Sequence, residues 1–204
     1  LADDRLVVDL GGGAEEICSA GDFALPGRHH ATNLLAAAVV ARMLGARPEQ
    51  IARAVREYEP PQYHMEHVAE IGGVHFINDS KACNPAAALA DLAAIEQPFV
   101  AIVGGKDKGA GFSGLGEFLC ERARQVVLIG EATDRIAAAM GDAAPEHAES
   151  MEAAVARAWQ LAQPGDAVIL APGCSSFDML NVAEHRGEVL CEVVRALTQA
   201  NRAS

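Results

Sequence analysis

Aromatic side chains are scarce in this chain, 4% of its residues, while apolar residues make up half of it and alanine recurs throughout. Helices packed closely on small side chains suit such a composition, and an all-β protein does not. No run of about 18 uninterrupted apolar residues occurs; the most apolar stretch, Leu34 to Leu44, is short and carries Arg42. A membrane span is therefore not expected. The opening Leu1-Ala2-Asp3-Asp4-Arg5 lacks the basic-then-apolar order of a secretion signal, so the expected location is the cytoplasm. Cations are in the minority: 16 Lys and Arg face 28 Asp and Glu, a formal net charge of −12. That balance argues against nucleic acid as a partner, because neutralising phosphates needs a basic face. Any anion site must be local, and Lys81, Lys106 and Lys108 stand out among cations that are mostly arginine. The cysteines, Cys18, Cys83, Cys120, Cys174 and Cys191, are odd in number and form no Cys-x-x-Cys pair, so buried reduced thiols are expected and a zinc or redox site is not. With 204 residues the chain can hold one domain and a partial one, or two small ones.

Short strands open the chain. Leu6-Val7-Val8 is broken by Gly11-Gly12-Gly13, and Glu16-Ile17-Cys18 precedes Gly21-Asp22. The triple glycine is not a phosphate loop, since no Gly-Lys-Ser/Thr follows it. Helical propensity covers Ala31 to Leu44 and stops at Gly45, and Pro48 opens a second helix, to about Tyr58, in the favoured first-turn position. Glu59-Pro60-Pro61-Gln62 forbids helix and reads as a stiff linker, so residues 60–65 are expected to separate a segment 1–59 from a domain 66–204. Glu66 to Ile71 and Val74 to Asp79 read as strands joined across Gly72-Gly73, a two-residue hairpin signal. Alternation then takes over, with helices expected over 85–96, 113–122, 132–140, 151–162 and 186–199 and strands over 98–103, 125–130, 145–149 and 166–171. Val126-Val127-Leu128-Ile129 and Ala167-Val168-Ile169-Leu170 are apolar throughout, as strands covered on both faces must be. The expected fold class is α/β, a Rossmann-like, doubly wound, mostly parallel sheet. Ligands of such sheets sit beyond the carboxyl ends of the strands, which directs attention to the loops after Asp79, Val103, Ile129 and Leu170.

Three of those loops are polar and glycine-rich beyond the needs of a connector. In Asn-Asp-Ser-Lys-Ala-Cys-Asn-Pro at 78–85, Asp79 and Lys81 stand just past a strand, where an acid and a base can hold a ribose hydroxyl and a phosphate together. The plainer alternative is a helix cap at Asn84 with one exposed lysine. In GGKDKGAGF at 104–112 the glycines let backbone approach a ligand while Lys106 and Lys108 supply charge; a mobile loop with solvated lysines is the alternative. After Leu170, Ser175 and Ser176 can donate hydroxyl hydrogen bonds at a strand-to-helix turn, or simply cap the next helix. No Ser/His/Asp or Cys/His constellation has convincing spacing.

Taken jointly, NDSKACN at 78–84, LPGRHHATN at 25–33, GGKDKGAGF at 104–112 and SFDMLNVAEHRG at 176–187 resemble, in order and spacing, the signature segments of the Mur ligases. Within that family they look most like the branch joining D-glutamate to UDP-N-acetylmuramoyl-L-alanine, and Asp-Ser-Lys-Ala at 79–82 is the most specific part. The resemblance implies a three-domain enzyme of peptidoglycan synthesis, with a UDP-binding domain, a central ATPase domain and a C-terminal Rossmann-like domain that delivers the amino acid. Residues 1–59 would be the end of the central domain and residues 66–204 the whole C-terminal one. ATP and Mg2+ are the implied cofactors, with the magnesium ligands outside this chain. The implied partners are the small-molecule substrates UDP-N-acetylmuramoyl-L-alanine, D-glutamate and ATP, acting on a monomer. By the same comparison Asn33 contacts adenine, Asp79 and Lys81 bind the ribose and phosphate region, and His30 and His64 stand on the nucleotide side where the family has asparagine and arginine. Cys83, in place of a threonine, joins Lys108, Ser176 and Phe177 around D-glutamate. Asn181-Val182-Ala183 departs from a Lys-Asn-Phe pattern.

The implied mechanism is acyl activation: ATP phosphorylates the alanine carboxylate, and the D-glutamate amine attacks the acyl phosphate. The C-terminal domain contributes binding and orientation, not a nucleophile. An arginine is a permanent fork of donors, whereas His64 is mostly neutral near about pH 7, so nucleotide contact through that position is expected to be weaker or differently arranged. No Gly-x-x-x-x-Gly-Lys-Ser/Thr occurs, so the chain alone is expected to bind ATP weakly and to lack ligase activity. A non-catalytic nucleotide-binding Rossmann module, with 104–112 as its glycine loop and Glu131 as its ribose acid, leaves the other three motifs unexplained. A folylpolyglutamate-synthase-like ligase shares the architecture, but the acidic-Gly-Ala-His-Asn segment usual in such ligases is absent from this chain at 78–84.

Overall fold

The computed structural model describes residues 4–175 and 183–203, and the chain divides into two units, Leu1–Pro61 and Gln62–Ser204. In the first unit β1 (Arg5–Asp9) and β2 (Ala14–Ser19) pair antiparallel. Two helices follow, α1 (Arg28–Met43) and α2 (Pro48–Arg56). Leu6 and Val8 of β1 and Ile17 of β2 pack with Ala38 of α1 and with Ile51, Ala52 and Val55 of α2 into one apolar cluster. Pro48 occupies the first turn of α2, where its missing N–H costs nothing, and Gln50 Oε1 accepts from Arg47 N–H at 2.9 Å to close the helix start.

The second unit holds a six-stranded sheet with strand order β3-β4-β8-β5-β6-β7. β3 (Glu66–Ile71) and β4 (Val74–Asn78) form an antiparallel hairpin with Ile71 opposite Val74. Gly72 and Gly73 both take positive φ, 59° and 79°, as a two-residue turn requires. Then come α3 (Pro85–Leu92), β5 (Phe99–Gly104), α4 (Ser113–Arg122), β6 (Ala123–Ile129), α5 (Thr133–Ala139), β7 (Glu146–Ala148), α6 (Met151–Leu161), β8 (Ala167–Leu170) and α7 (Ala183–Ala203). From β4 to β7 every pairing is parallel, as the apolar strands implied.

Both sheet faces are covered. Ala101 and Val103 of β5 point to a cluster containing Ala88 and Leu92 of α3, Leu115 and Leu119 of α4, and Ile136 of α5. The intervening Val100 and Ile102 point to a second cluster with Met151, Val155 and Ala158 of α6 and Leu190 and Val194 of α7. This alternation explains why β5 and β8 are buried at every position. Helices α1, α3 and α7 differ in extent from the pattern-based expectation, α7 running Ala183–Ala203 where 186–199 was expected. α3 ends at Leu92 instead of continuing to 96, because Ala94 and Ile95 donate to Asp91 and Leu92 carbonyls three residues back, which tightens the chain out of the α-helix. α1 starts at Arg28, a turn before Ala31.

Strand order sets where the segments beyond the sheet diverge. β8, last in sequence among the strands, sits between β4 and β5. α3 and α4, which follow β4 and β5, lie on one face, whereas α7, beyond β8, packs on the other. The segments leaving these neighbouring strands therefore part to opposite sides, as at the switch points where α/β sheets bind ligands.

Candidate functional site

The loops beyond β4, β8 and β5 are bonded to one another by backbone. Asp79 N–H donates to Leu170 O at 2.9 Å, Gly173 N–H to Ala82 O at 2.9 Å, and Gly104 N–H to Pro172 O at 2.8 Å. Lys106 and Ser175 then exchange hydrogen bonds in both directions, at 2.8 and 3.1 Å. Gly105, between them, takes φ 133°, and a Cβ there would lie 2.4 Å from Ser175 O, so only glycine admits this approach. The loop 104–112 is tied at several points. Asp107 pairs with Arg135 and accepts from Gly109 N–H at 2.8 Å. Arg135 also donates to Ala110 O at 3.0 Å and lies over the Phe112 ring at 5.4 Å. Lys106 and Lys108 extend from this fixed loop as exposed side chains.

A buried arginine ties the edge together. Arg186, in the first turn of α7, is 2% exposed. It donates from Nε to Ser80 Oγ at 3.0 Å, from Nη2 to Ser80 O at 2.9 Å and from Nη1 to Cys174 O at 3.1 Å, with Cys83 Sγ 3.6 Å from Nη2. One guanidinium thus joins the loop after β4 to the loop after β8. Asn78 Nδ2 adds a bond to Gly187 O at 2.9 Å, and Asn78 Oδ1 accepts from Ser80 N–H at 3.2 Å. Gly187 leaves room for the Tyr63 ring, whose carbons would be 2.5 to 2.8 Å from a Cβ at that position.

The segment before β3 closes over the same loop. Tyr63 and Met65 both have positive φ, 62° and 49°. For such residues this backbone persists only when surrounding bonds hold it. Here Tyr63 O accepts from Lys81 N–H at 3.1 Å, Tyr63 N–H donates to Glu66 Oε2 at 2.8 Å, and Met65 N–H donates to Asp79 Oδ1 at 3.2 Å. His64, between them, is brought beside Asp79 and Asp91 of α3, with one ligand atom from each of the three within 4.8 Å of the others. Asp79 is fully buried, and its Oδ2 has no hydrogen-bond partner. Burial and then the neighbouring Asp91 push its carboxyl up to about 9, against the opposing pull of Met65 N–H and Arg186. Lys81 is exposed and pairs with Glu184, whose carboxyl it holds below the usual range.

Of the residues singled out from sequence, Asp79, Lys81, His64 and Cys83 come together around the loop after β4, and Lys108 sits on the loop after β5. His30, buried, and Asn33, exposed, lie on α1 of the other unit, one helical turn apart. Ser176, Phe177 and the Asn181-Val182 pair lie outside the described residues; Ala183 is the first residue of α7. Arg186 and Asp91 were not singled out, although each carried a signal: a charge on an apolar helix stripe, Arg186 with Leu190 and Val194, Asp91 with Ala88 and Leu92.

Comparison with known proteins follows the same lines. Residues 64–174 match the family model described as "Mur ligase, glutamate ligase domain". The chain is 39% identical over 190 residues to a UDP-N-acetylmuramoylalanine--D-glutamate ligase of Koribacter versatilis, covering 93% of this chain and 42% of that protein. It is 42% identical over 207 residues to the protein of the same name from Aromatoleum aromaticum, covering 97% of this chain and 44% of that one. The chain thus spans less than half the length of these curated relatives. Among solved structures, MurF from Acinetobacter baumannii superposes with a TM-score of 0.68 at 19% identity, over 92% of this chain and 42% of that one, a likeness of fold alone.

Proposed function

Because this chain belongs to the Mur ligase family, matched in its glutamate ligase domain, we propose that it acts within an ATP-dependent ligase that adds D-glutamate to UDP-N-acetylmuramoyl-L-alanine through an acyl phosphate. The second unit is then the domain that delivers the amino acid, and the first the end of the ATPase domain. The observation that carries this reading is the union of the loops after β4, β5 and β8 into one edge by Gly105 and Arg186. In relatives named for this reaction the chain finds identity along nearly its whole length, which favours it over a folate-directed ligase.

In this reading Lys108 holds a D-glutamate carboxylate from the loop after β5, with Cys83 lining the same side and Ser176 and Phe177 completing it. A cation on a loop fixed by Arg135 orients the amine without taking part in bond making. Lys81, Asp79 and His64 are the nucleoside-side residues of the second unit, and in the first unit the family resemblance assigns nucleotide contact to His30 and Asn33 of α1. Asp79 Oδ2, which has no donor, suits a ribose hydroxyl. ATP supplies the phosphoryl group when bound, but the residues of this chain fit only its nucleoside end. The glycine, lysine and hydroxyl sequence that cradles a triphosphate and its Mg2+ does not occur.

The test uses the full-length enzyme. Lys108→Ala should raise KM for D-glutamate with a smaller change in kcat, because a carboxylate loses its cationic partner. An unchanged KM would leave Lys108 as a surface residue. The 204-residue chain, given UDP-N-acetylmuramoyl-L-alanine, D-glutamate and Mg-ATP, should release no phosphate, and turnover would relocate the ATP site.

A further inference from the structure

The β3–β4 hairpin gathers two histidines and a carboxylate on one patch of surface. His75 Nδ1 and His67 Nε2 are 3.4 Å apart, with the rings tilted by 58°, and Glu70 Oε2 lies 3.9 Å from His75 Nδ1. A regular strand would not bring the three together. Residues three apart in a strand point to opposite faces, so His67 and Glu70 should lie on opposite sides of β3. The register shows how they meet. Glu70 pairs with His75 and Ala69 with Phe76, but the next pair is His67 with Ile77, and Val68 is left over between them. Such an extra residue is a β-bulge, which re-aims a side chain from one face to the other. His67 therefore shares the face of Ile77, His75 and Glu70, diagonal to His75 and within the reach of a ring.

We infer that His67 and His75 form a chelating site for a divalent transition-metal cation of the Zn2+ class. Spacing carries the inference. An N–H hydrogen bond is strongest near about 3.0 Å, so at 3.4 Å the two rings hold each other only loosely. Two nitrogens each about 2.0–2.1 Å from a tetrahedral Zn2+ stand about 3.3–3.4 Å apart, and the hairpin already provides that separation. Binding involves no electron transfer and no net loss of a proton. Whichever ring donates the present hydrogen bond carries that proton on its other nitrogen instead, which turns both facing lone pairs toward the ion. Glu70 adds negative charge beside it, and water fills the remaining positions. Imidazole suits Zn2+, Ni2+ and Cu2+, whereas Mg2+ and Ca2+ take oxygen ligands, so the Mg2+ that accompanies ATP does not compete. His75 stands four residues before Asp79, about 13 Å of strand. The site is thus separate from the loops beyond the sheet and does not rest on the ligase reading. Its occupation ties the edge strand β3 to β4.

The 204-residue chain is stripped with chelator and titrated with ZnCl2 by calorimetry, with and without excess MgCl2. The parent should bind about one equivalent of Zn2+ under both conditions. His67→Gln and His75→Gln should each weaken binding by roughly tenfold or more, since even groups one step removed from a metal change its affinity by that factor. His147→Gln, an exposed position on β7, should bind as the parent does. ZnCl2 should also raise the urea midpoint of the parent and of His147→Gln, but not of the two hairpin variants, because an ion that binds only the folded chain stabilises it. His67 is exposed, so its replacement decides the matter if His75→Gln fails to fold. A parent that binds no Zn2+, hairpin variants that bind as tightly as the parent, or Zn2+ displaced by Mg2+ would each overturn the site. None of these outcomes bears on Lys108 and D-glutamate, so the functional reading stands or falls separately.

Discussion

Asp79 shows how one carboxyl can set the pH dependence of a fold. Its ordinary value is 3.8, and burial, reinforced by Asp91, carries it to about 9 in the folded chain. Between those values the unfolded chain has lost a proton that the folded chain keeps, so the unfolded state binds fewer protons and stability falls as pH rises. The contribution is fully present below the unfolded value and is lost as pH climbs toward the folded one. Asp166 works in the other sense. Its carboxyl accepts from Arg124 and is held below the usual range, so its contribution disappears only in acid, below the window at issue. The urea midpoint of the chain should therefore be lower at about pH 8 than at about pH 5. Asp79→Asn should flatten that difference. Asp91→Asn should reduce it only in part, because burial, the larger cause, remains. A parent midpoint that rises over this interval while Asp79→Asn leaves the profile unchanged would refute the assignment. Asp79 itself was legible in the sequence as an acid at a strand end. Its burial was not, because that depends on the residues at 63–65 folding over it.

Helix α7 is joined to the sheet edge by polar bonds as well as by its apolar stripe. Leu190 and Val194 bury against the sheet, as a helical period predicts. Arg186 lies on the same stripe, which an unpaired charge could not tolerate; it is tolerated because Ser80 and Cys174 surround its guanidinium with acceptors. Arg186→Met keeps much of the volume but leaves two carbonyls without their donor. Hydrogen bonds to a charged group contribute about 1.5–3 kcal/mol each, and relief from burying the charge offsets part of the loss, so a net destabilisation on the order of 3 kcal/mol is expected in urea unfolding. Amide exchange should quicken at Ser80 to Cys83 more than in β6, whose ladder does not depend on the arginine. A variant as stable as the parent would show that α7 docks by apolar contact alone. The helix was readable from its periodicity and the arginine from its place on the stripe. Its acceptors were not, since Ser80 precedes it by 106 residues.

The two units each carry a core of their own, Leu6, Val8, Ile51 and Val55 in the first, and two sheet faces in the second. Residues 62–204, expressed alone, should therefore unfold in a single cooperative urea transition with β3 to β8 intact by circular dichroism, because both clusters that sandwich the sheet are built within that span. A non-cooperative, molten profile would mean that the sheet depends on the first unit. Much of this architecture was open to reading from local pattern. The Gly72-Gly73 hairpin, the apolar strands and Pro48 and Pro85 at helix starts depend on neighbours a few residues away, and each appears where the pattern placed it. The candidate site was legible in the same degree: its loops could be named, and Asp79, Lys81, Cys83 and Lys108 with them. Strand order could not be, because nothing near Ala167 says that β8 inserts between β4 and β5. That insertion brings Ser175 to Lys106 and Cys174 to Arg186, and the turn at 63–65 brings His64 to Asp79 and Asp91. Local periodicity is a property of adjacent residues, whereas a buried charge finds its partners only when distant segments are packed together, and in this chain the chemistry lies among such partners.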